Sequence, residues 1–319
     1  DLEPAWDLVD WDDYTYFVKP KSRLAVVSSS RGCMYRCTFC SQQKFWNKTW
    51  RARSPASFVG ELERLNREWG VNVFMPADEY PTLDRDRWEE ILDRLALWDE
   101  KPWILMETRA TDILRDRDIL WKYKRAGIVH MYTGLEATDQ TTLDLMKKDL
   151  KVQQSIEVVR LLREHDIVSE TSFVLGFPKD SHETIERTLE LALEYAPDMA
   201  HFLALAPWPY ADLYPDVKDY IVSRDFREYN LVKAVTRTDH LSAEDLDRAI
   251  VDCYRRFYMK SLPKLITQGS AFRRDYMLTA MKRIMKCSFL TEKMKGLGPL
   301  PNMVDRMVPV EVPAGGCPR

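Results

Sequence analysis

The sequence predicts an α/β fold built on a parallel sheet and followed by a mainly helical C-terminal region. Short strand-like runs of apolar residues alternate with longer helical patterns between residues 24 and 206, and this alternation is typical of repeated βα units. The length of 319 residues suits one large α/β barrel with an appendage, or two domains. A hydrophobic content of 45% and a charged content of 30% are those of a globular chain.

The predicted strands and helices alternate in order along the chain. The first strand ends in small residues before Gly32, which lets the backbone turn. The helix after it begins at Ser54-Pro55 and ends at Gly70. The predicted strands cover residues 24–29, 71–77, 103–107, 128–133, 169–175 and 200–206. The other predicted helices cover residues 85–97, 116–126, 152–165 and 183–195.

Charge and hydropathy exclude several classes of protein. The 47 Lys and Arg residues nearly balance 50 Asp and Glu residues, and the net charge of −3 argues against a dedicated nucleic-acid binder. The sequence contains no run of about 18 apolar residues, so we expect no transmembrane segment. It starts at Asp1 with neither a Met nor a signal peptide, so we expect a piece of a longer, cytoplasmic protein.

Three of the six cysteines lie within eight residues in the spacing C-x3-C-x2-C. Cys33, Cys37 and Cys40 can converge on one centre if their segment is a loop. Thiolates suit zinc or iron–sulfur chemistry, but structural zinc takes four ligands, often as two separated pairs, and no second C-x2-C pair is present. Three cysteines therefore favour a 4Fe–4S cluster with one open iron over a non-catalytic zinc-binding module. The remaining cysteines are scattered, unlike a secreted disulfide framework: Cys253, Cys287 and Cys317.

This C-x3-C-x-aromatic-C motif after a first strand resembles the signature of the radical S-adenosylmethionine (SAM) enzymes. The resemblance implies a partial (β/α)6 barrel over residues 22–219, in which Cys33, Cys37 and Cys40 hold a 4Fe–4S cluster. In that family the open iron binds the amino and carboxylate groups of SAM. One electron then cleaves SAM to a 5′-deoxyadenosyl radical, which abstracts hydrogen from the substrate. We expect residues 1–21 to form a linker and residues 220–319 to be mainly helical.

Barrels of this kind carry their chemistry at the C-terminal ends of the strands, so we looked for SAM-binding residues there. The second strand ends in Asp78 and Glu79, where many members of the family carry two glycines. Tyr80 stands at the position of the family's Glu, which helps to hold the SAM ammonium. Asp78 or Glu79 is the candidate acceptor for that ammonium here, and an ordinary acidic turn is the alternative.

The ends of the third and fourth strands supply three further candidates. Arg109 is a candidate for a carboxylate of SAM or of the substrate, because guanidinium binds carboxylates through two hydrogen bonds. A structural ion pair with Glu107 or Glu136 is the alternative. By the resemblance, Gly134 allows close approach to the ribose of SAM, and Glu136 accepts hydrogen bonds from its hydroxyls.

The last two strands end in apolar and aromatic residues. The fifth is followed by Gly-Phe-Pro, which resembles a family segment in which an apolar residue packs on the adenine of SAM. Phe173 and Leu175 are the candidates for that contact, with core packing as the alternative. The aromatic residues at 207–210 could form the wall against a flat substrate, or could pack at the barrel rim.

Three segments resemble the cobalamin-dependent branch of the family, and within it the anaerobic magnesium-protoporphyrin IX monomethyl ester cyclases. They are residues 5–16, 40–46 and 253–260, and 77–79 and 207–209 agree with them. The resemblance covers about residues 5–285 and implies a cobalamin-binding domain N-terminal to this chain. It also implies a magnesium porphyrin substrate, formation of the isocyclic ring of (bacterio)chlorophyll, and an electron donor such as flavodoxin or ferredoxin. A cobalamin-dependent C-methyltransferase acting on another substrate is the alternative.

The C-terminal region is strongly basic. Residues 251–295 hold eleven Lys and Arg against three acidic residues. This segment is a candidate site for porphyrin carboxylates or for an acidic partner, with a solvated helix face as the alternative. His130 and His201 lie on predicted strands, where one of them could be an axial ligand of a magnesium tetrapyrrole, with a core role as the alternative.

Overall fold

A computed structural model describes residues 4–287 and contains a six-stranded parallel sheet. The strands of this sheet are β1 (Leu24–Val27), β4 (Val73–Pro76), β5 (Trp103–Glu107), β6 (Ile128–Glu136), β7 (Val168–Leu175) and β8 (Met199–Ala204). They lie side by side in that order, and every neighbouring pair is parallel. A separate antiparallel hairpin joins β2 (Ser30–Gly32) to β3 (Trp50–Ala52). The six-stranded partial barrel predicted from the sequence is thereby confirmed.

Helices lie in most connections between the strands and follow the last strand. They are α1 (Gln42–Phe45), α2 (Pro55–Trp69), α3 (Arg85–Leu95), α4 (Ala110–Arg115), α5 (Leu120–Arg125), α6 (Gln140–Leu145), α7 (Val152–Glu164), α8 (His182–Tyr195), α9 (Tyr214–Val217), α10 (Ala243–Gln268) and α11 (Ala271–Cys287). The prediction of one helix over residues 116–126 was wrong at its start. The chain there forms α4 and α5, separated by a turn at 116–119.

Local chemistry sets the bounds of α2, which the sequence predicted correctly. The Ser54 side chain accepts a hydrogen bond from the Ser57 backbone N–H at 3.2 Å, which caps the first turn. Pro55 takes the first helical position, where no N–H is needed. Gly70 ends the helix in the left-handed conformation, with φ of 66°. The buried face of α2 then packs in the main core.

The main core lies between the sheet and the surrounding helices. It contains one set of strand side chains, including Phe74, Phe173 and Phe202, all of which are fully buried. Strand side chains alternate between the two faces of a sheet, and most of the opposite set points into the barrel. There they line a cavity of about 600 Å³, within the range of about 300–1,000 Å³ that is usual for ligand pockets.

The C-terminal region is less helical at its start than predicted. Within the described part of the chain, no α-helix lies between α9 and α10, and an isolated bridge pairs Ile221 with Thr236. The Ser242 side chain caps α10 by accepting from the Asp245 N–H at 3.1 Å, as its sequence predicted. Cys253 is buried on α10, whereas residues 288–319, with Cys317, lie outside the described residues.

Helix α11 closes the end of the barrel where the strands begin. Tyr276 and Met277 pack against Val168 and Met199, near the starts of β7 and β8. A buried ion pair joins Arg273 of α11 to Asp198, just before β8. None of the helices within the described residues combines the length and apolar character needed to span a membrane.

Candidate active site

The three-cysteine loop leaves β2 through a turn that only glycine can make. Gly32 has φ of +99°, and a Cβ atom at this position would lie 2.1 Å from the Thr49 carbonyl oxygen of the paired strand region. Further along the loop, the Thr38 backbone N–H donates to the Met146 carbonyl at 2.9 Å. The loop is therefore fixed both to the hairpin and to the end of α6.

The thiols of this loop are shielded from bulk solvent and influence one another. Burial raises the pKa of Cys33, and it raises the pKa of Cys40 to about 11; the negative charge of neighbouring thiolates adds to both effects. Among residues 4–287, no three His, Cys, Asp or Glu side chains converge as a single metal ion requires. A 4Fe–4S cluster spreads its cysteine ligands over separate irons. The three thiols of this loop have the chemistry that such a cluster requires, and their role as its ligands stays a prediction.

Arg109, two residues after β5, holds the loop from the barrel side. The centre of its guanidinium lies 3.3 Å from the ring centroid of Tyr35, a cation–π contact. Its Nη1 donates to the Cys37 sulfur at 3.8 Å. Its ion pair is with the exposed Asp149, at 4.0 Å, and not with either glutamate suggested by the sequence. Arg109 is thus positioned directly beside a predicted cluster ligand.

Asp78 is engaged in holding the chain just before the loop. Its side chain is 1% exposed and accepts hydrogen bonds from the Ser29 N–H at 2.8 Å, the Ser29 hydroxyl at 2.5 Å and the Ser30 hydroxyl at 2.6 Å. Burial raises the pKa of Asp78, and these hydrogen bonds oppose that rise. The carboxylate therefore already has a full set of donors within the protein.

Glu79 likewise holds the chain through hydrogen bonds, in this case to residues next to and after the cysteine loop. One carboxylate oxygen accepts from the Gly32 N–H at 3.0 Å, and the other accepts from the Trp46 indole N–H at 2.9 Å. Asp78 and Glu79 together tie the end of β4 to the segment that carries the cysteines. Both predicted ammonium acceptors thus already accept hydrogen bonds from the protein, and the contact of either one with the ammonium of SAM stays a prediction.

Glu107 is a candidate functional residue that the sequence reasoning considered only as a partner of Arg109. It is the last residue of β5 and faces the barrel cavity, and its side chain forms no hydrogen bond or ion pair with another described residue. The Glu107 side chain is exposed to the cavity. Partial desolvation by the barrel walls and, to a smaller extent, the charges of Glu79 and Asp78 together raise its pKa to about 7, and the charge of Lys148 opposes this rise. Its inward position, two residues after the inward-facing Leu105, is the signal that could have identified it.

Gly134 and Glu136 lie together at the end of β6, next to Lys148. Glu136 adopts φ of +67°, and its Oε1 lies 2.7 Å from the Lys148 Nζ. A Cβ atom on Gly134 would lie 2.0 Å from that same oxygen. A larger residue at 134 would thus require the Glu136 carboxylate to move. The contact of both residues with ribose stays a prediction.

Phe173 and Leu175 are the two candidates for the contact with adenine, and that contact stays a prediction. Both belong to the main core on the helix side of the sheet, and Phe173 stacks on Phe202 with centroids 5.8 Å apart. The opposite face of β7 carries Val174, which packs in the cluster of side chains that includes Phe39 of the cysteine loop. The structure thus supports the core-packing alternative for both candidates, because the alternation of β7 points them away from the site.

A model of the radical SAM superfamily matches residues 27–192, which include the cysteine loop and the strands up to β7. The chain belongs to the radical SAM superfamily. This membership confirms the fold class and the family inferred from the cysteine motif. The chain is accordingly an enzyme whose cofactors are a 4Fe–4S cluster and SAM.

Two curated proteins are similar in sequence to most of the chain. It is 37% identical to an anaerobic magnesium-protoporphyrin IX monomethyl ester cyclase of Cereibacter sphaeroides, over 89% of this chain and 47% of that protein. It is 34% identical to the cyclase of the same name from Rubrivivax gelatinosus, over 90% of this chain and 52% of that protein. The chain thus spans about half the length of these curated relatives.

A solved radical SAM structure shares the fold. The radical SAM methyltransferase TsrM of Kitasatospora setae, solved with cobalamin and a [4Fe-4S] cluster bound, superposes with a TM-score of 0.56 at 18% sequence identity. The match covers 62% of this chain and 37% of TsrM. At this identity the likeness extends to the arrangement of strands and helices.

The floor of this radical SAM barrel contains a network centred on Glu170 of β7. His130 Nε2 lies 2.8 Å from one carboxylate oxygen, and His201 Nε2 contacts the other. The Tyr276 hydroxyl lies 2.6 Å from His130 Nδ1 and also contacts the Tyr16 hydroxyl. Burial alone would raise the pKa of Glu170, but hydrogen bonds from the two histidines hold it well below its usual range. Both histidines therefore pair with a protein carboxylate, and an axial-ligand role stays a prediction.

Proposed function

We propose that the chain is the catalytic part of an oxygen-independent magnesium-protoporphyrin IX monomethyl ester oxidative cyclase. The observation that carries this proposal is its similarity to two cyclases along most of the chain. The fixed three-cysteine loop beside the barrel cavity agrees with it. In this reading residues 1–21 link the barrel to a preceding domain, and residues 220–319 follow the barrel.

Cys33, Cys37 and Cys40 would hold the cluster, and Arg109 would keep Cys37 in place through its contact with the sulfur. When bound, the cluster supplies the single electron that cleaves SAM, so that a carbon-centred radical can abstract hydrogen from the substrate. The protein's contribution is to keep this centre away from water and in a constant position. The buried Asp78 and the Glu79 hydrogen bonds achieve this by anchoring the loop at its base.

Glu107 would accept the ammonium of SAM, in place of Asp78 or Glu79. It lies at the C-terminal end of a barrel strand and faces the cavity without a partner among the described residues. An ionised carboxylate is the natural acceptor for an ammonium group, and such charged hydrogen bonds are stronger than neutral ones. Gly134 and Glu136 remain our candidates for the ribose.

The substrate ring would lie at the cavity mouth, with its ester side chain reaching into the barrel. The inner cavity has walls of Met75, Leu105 and Tyr132, which suit an apolar chain with an ester group. At the mouth, a second cavity of about 560 Å³ is bordered by Phe45 and Tyr210. The Tyr210 ring is 52% exposed and stacks on Trp208 with an interplanar angle of 14°. Such exposed, parallel aromatic side chains suit the flat face of a tetrapyrrole.

The proposed reaction needs further components. Cobalamin, named with the fold relative TsrM, would be carried by a domain N-terminal to this chain. Flavodoxin or ferredoxin would deliver the electron. We place the reaction in the cytoplasm, because free thiols that hold an iron–sulfur cluster need a reducing compartment.

The first test is anaerobic reconstitution with iron and sulfide. The wild-type chain should turn brown and convert SAM to 5′-deoxyadenosine when dithionite is added. Cys37→Ala should lose both the absorbance and the cleavage, whereas Cys253→Ala, a matched buried cysteine on α10, should retain them. A Cys37→Ala protein that still cleaves SAM would contradict the proposed site.

A cobalamin-dependent C-methyltransferase is the second candidate, and sequence similarity to proteins named as methyltransferases favours it. The two candidates share hydrogen abstraction and differ in the product. Supplying the full-length enzyme with the magnesium porphyrin ester and methyl-labelled SAM separates them. Formation of the isocyclic ring without label supports the cyclase, and labelled product without ring closure supports the methyltransferase.

A further inference from the structure

The segment around the cysteine loop is strongly basic, although the net charge of the whole chain is negative. Residues 14–60 contain nine Lys and Arg and no Asp or Glu, within a chain whose net charge is −3. Five of the basic side chains are exposed on the cysteine loop, on α1 and on the hairpin: Arg31, Arg36, Lys44, Lys48 and Arg51. We call these five residues the basic loop surface.

Most of the basic loop surface lacks a carboxylate partner within the described chain. Lys44 pairs with the exposed Asp212 at 2.8 Å. The other four cations form no ion pair with a described residue, although Arg51 lies over the Trp46 ring at 5.7 Å. The uncompensated charge is therefore available to a partner.

Two of these arginines are placed directly opposite each other. In the β2–β3 hairpin the register pairs Arg31 with Arg51. Like charges at directly opposed positions of an antiparallel pair are destabilising. An anionic partner bound across both strands would relieve this repulsion, whereas the free chain has no acidic side chain in this hairpin to do so.

Apolar side chains lie among the cations, and the predicted cluster ligands are adjacent. Met34 is 53% exposed and Phe45 is 75% exposed. Arg36 lies between two of the cysteines, and Lys44 follows Cys40 by four residues. Exposed Met, aromatic and Arg side chains are typical of protein interfaces, and transient redox complexes use small ones.

We propose that the basic loop surface is the docking site for an acidic one-electron donor protein. The proposal rests on the proposed function, because the cluster held by Cys33, Cys37 and Cys40 must receive an electron. A partner with a negative face would be drawn to the cations and would come to rest over the segment that holds the cluster. The small apolar contacts at Met34 and Phe45 would let it leave again after transfer.

The test uses reduced flavodoxin, an acidic flavin protein, with the reconstituted chain. The variant Arg31→Gln/Lys48→Gln/Arg51→Gln removes three charges from the surface and leaves the cysteines, Arg36 and Lys44 untouched. The matched control Lys218→Gln/Lys260→Gln/Lys264→Gln removes three exposed charges elsewhere. Binding is followed by flavin fluorescence at low and moderate salt. SAM cleavage is driven in parallel by flavodoxin and by dithionite, which needs no docking.

We expect the surface variant to bind flavodoxin about tenfold more weakly at low salt and to depend less on salt. Its flavodoxin-driven cleavage should fall similarly, while dithionite-driven cleavage and the control variant stay at the wild-type level. Wild-type affinity in the surface variant, or no flavodoxin binding by the wild type, would overturn the docking site. So would charge-dependent binding of a short RNA in place of flavodoxin. Absence of dithionite-driven cleavage in the wild type would instead contradict the proposed function.

Discussion

In the proposed site, Glu107 is the carboxylate that pairs with the ammonium of SAM. The Glu107→Gln variant keeps the shape of the side chain and removes its charge. We expect SAM to bind about tenfold more weakly, because a charged hydrogen bond of about 1.5–3 kcal/mol is replaced by a neutral one. Equilibrium binding of SAM to the reconstituted chain measures this. Glu100→Gln, on the exposed surface, is the control, and equal affinities in the two variants would refute the assignment.

The same residue predicts a pH dependence of stability in the chain without cofactors. The pKa of Glu107 is raised from 4.5 to about 7, so the folded state keeps a proton that the unfolded state has lost between these values. Folding stability due to Glu107 therefore falls as the pH rises from about 4.5 to about 7, and stays lower above that. Glu107→Gln should melt at a higher temperature than wild type near pH 8 and at the same temperature near pH 4.5. Thermal unfolding that shows one constant difference at every pH would contradict this.

Residues differ in how far the sequence alone reveals their roles. The cysteines could be found because their spacing is local and their chemistry is distinctive. Asp78 and Glu79 were predicted from their position at the end of a strand, but their partners Ser29 and Trp46 are distant in sequence and only the fold brings them together. The prediction for Phe173 depended on which face of β7 points into the barrel. A shift of one residue along the strand exchanges the two faces.

Among the structural elements, the β2–β3 hairpin fixes the start of the cysteine loop. Its conformation depends on the positive φ of Gly32. Gly32→Ala would place a Cβ atom 2.1 Å from a backbone oxygen at φ of +99°. We expect the free energy of unfolding to fall by about 2–3 kcal/mol, with loss of cluster incorporation. Urea unfolding measures the first and absorbance after reconstitution the second.

Gly60 provides the control for this prediction. It lies exposed within α2, and a Cβ atom there would have no neighbour within 4 Å. Gly60→Ala should raise the free energy of unfolding by about 0.5–1 kcal/mol, because glycine is unfavourable inside a helix. If both alanine variants changed stability in the same direction, the steric argument for Gly32 would be wrong.

The network at the barrel floor connects α11 to the sheet through Glu170. Its pKa is held well below 4.5 by His130 and His201, so its stabilising effect is present above about pH 4.5 and is lost as the pH falls further. Glu170→Gln should lower the free energy of unfolding by about 1–3 kcal/mol near pH 7, since the buried charged acceptor that both histidine rings contact is removed. The difference from wild type should shrink below pH 4.5.

Urea unfolding at several pH values tests this, with Glu164→Gln as the control. Glu164 pairs with Arg160 on the exposed face of α7, and such surface pairs contribute about 0–1 kcal/mol. A Glu170→Gln variant no less stable than this control at neutral pH would show that the network does not hold α11. The sequence placed both histidines on strands, but their convergence on one carboxylate depends on the register between β6, β7 and β8.

At the scale of the whole molecule, the repeated βα pattern was sufficient to predict the six-stranded sheet. The pattern is strong because each strand buries an apolar face and each helix has its own start and stop residues. The hairpin was missed because β2 and β3 contain three residues each and are rich in Ser and Arg. Its conformation depends on a pairing between segments about twenty residues apart, which local patterns do not contain.

At the scale of the whole molecule, SAM cleavage and ring formation can also be tested as two separate stages of the proposed reaction. The cluster loop, Glu107 and the barrel cavity all lie within this chain, so the chain alone should cleave SAM when dithionite is present. The curated relatives are about twice as long, and ring formation is proposed to need cobalamin from a preceding domain. We therefore expect 5′-deoxyadenosine from the chain alone, and the isocyclic ring only from the longer protein loaded with cobalamin. Chromatography of both products in parallel decides this. Ring formation by residues 1–319 alone would show that the barrel needs no cobalamin domain, and would remove the main reason for grouping it with the cobalamin-dependent branch.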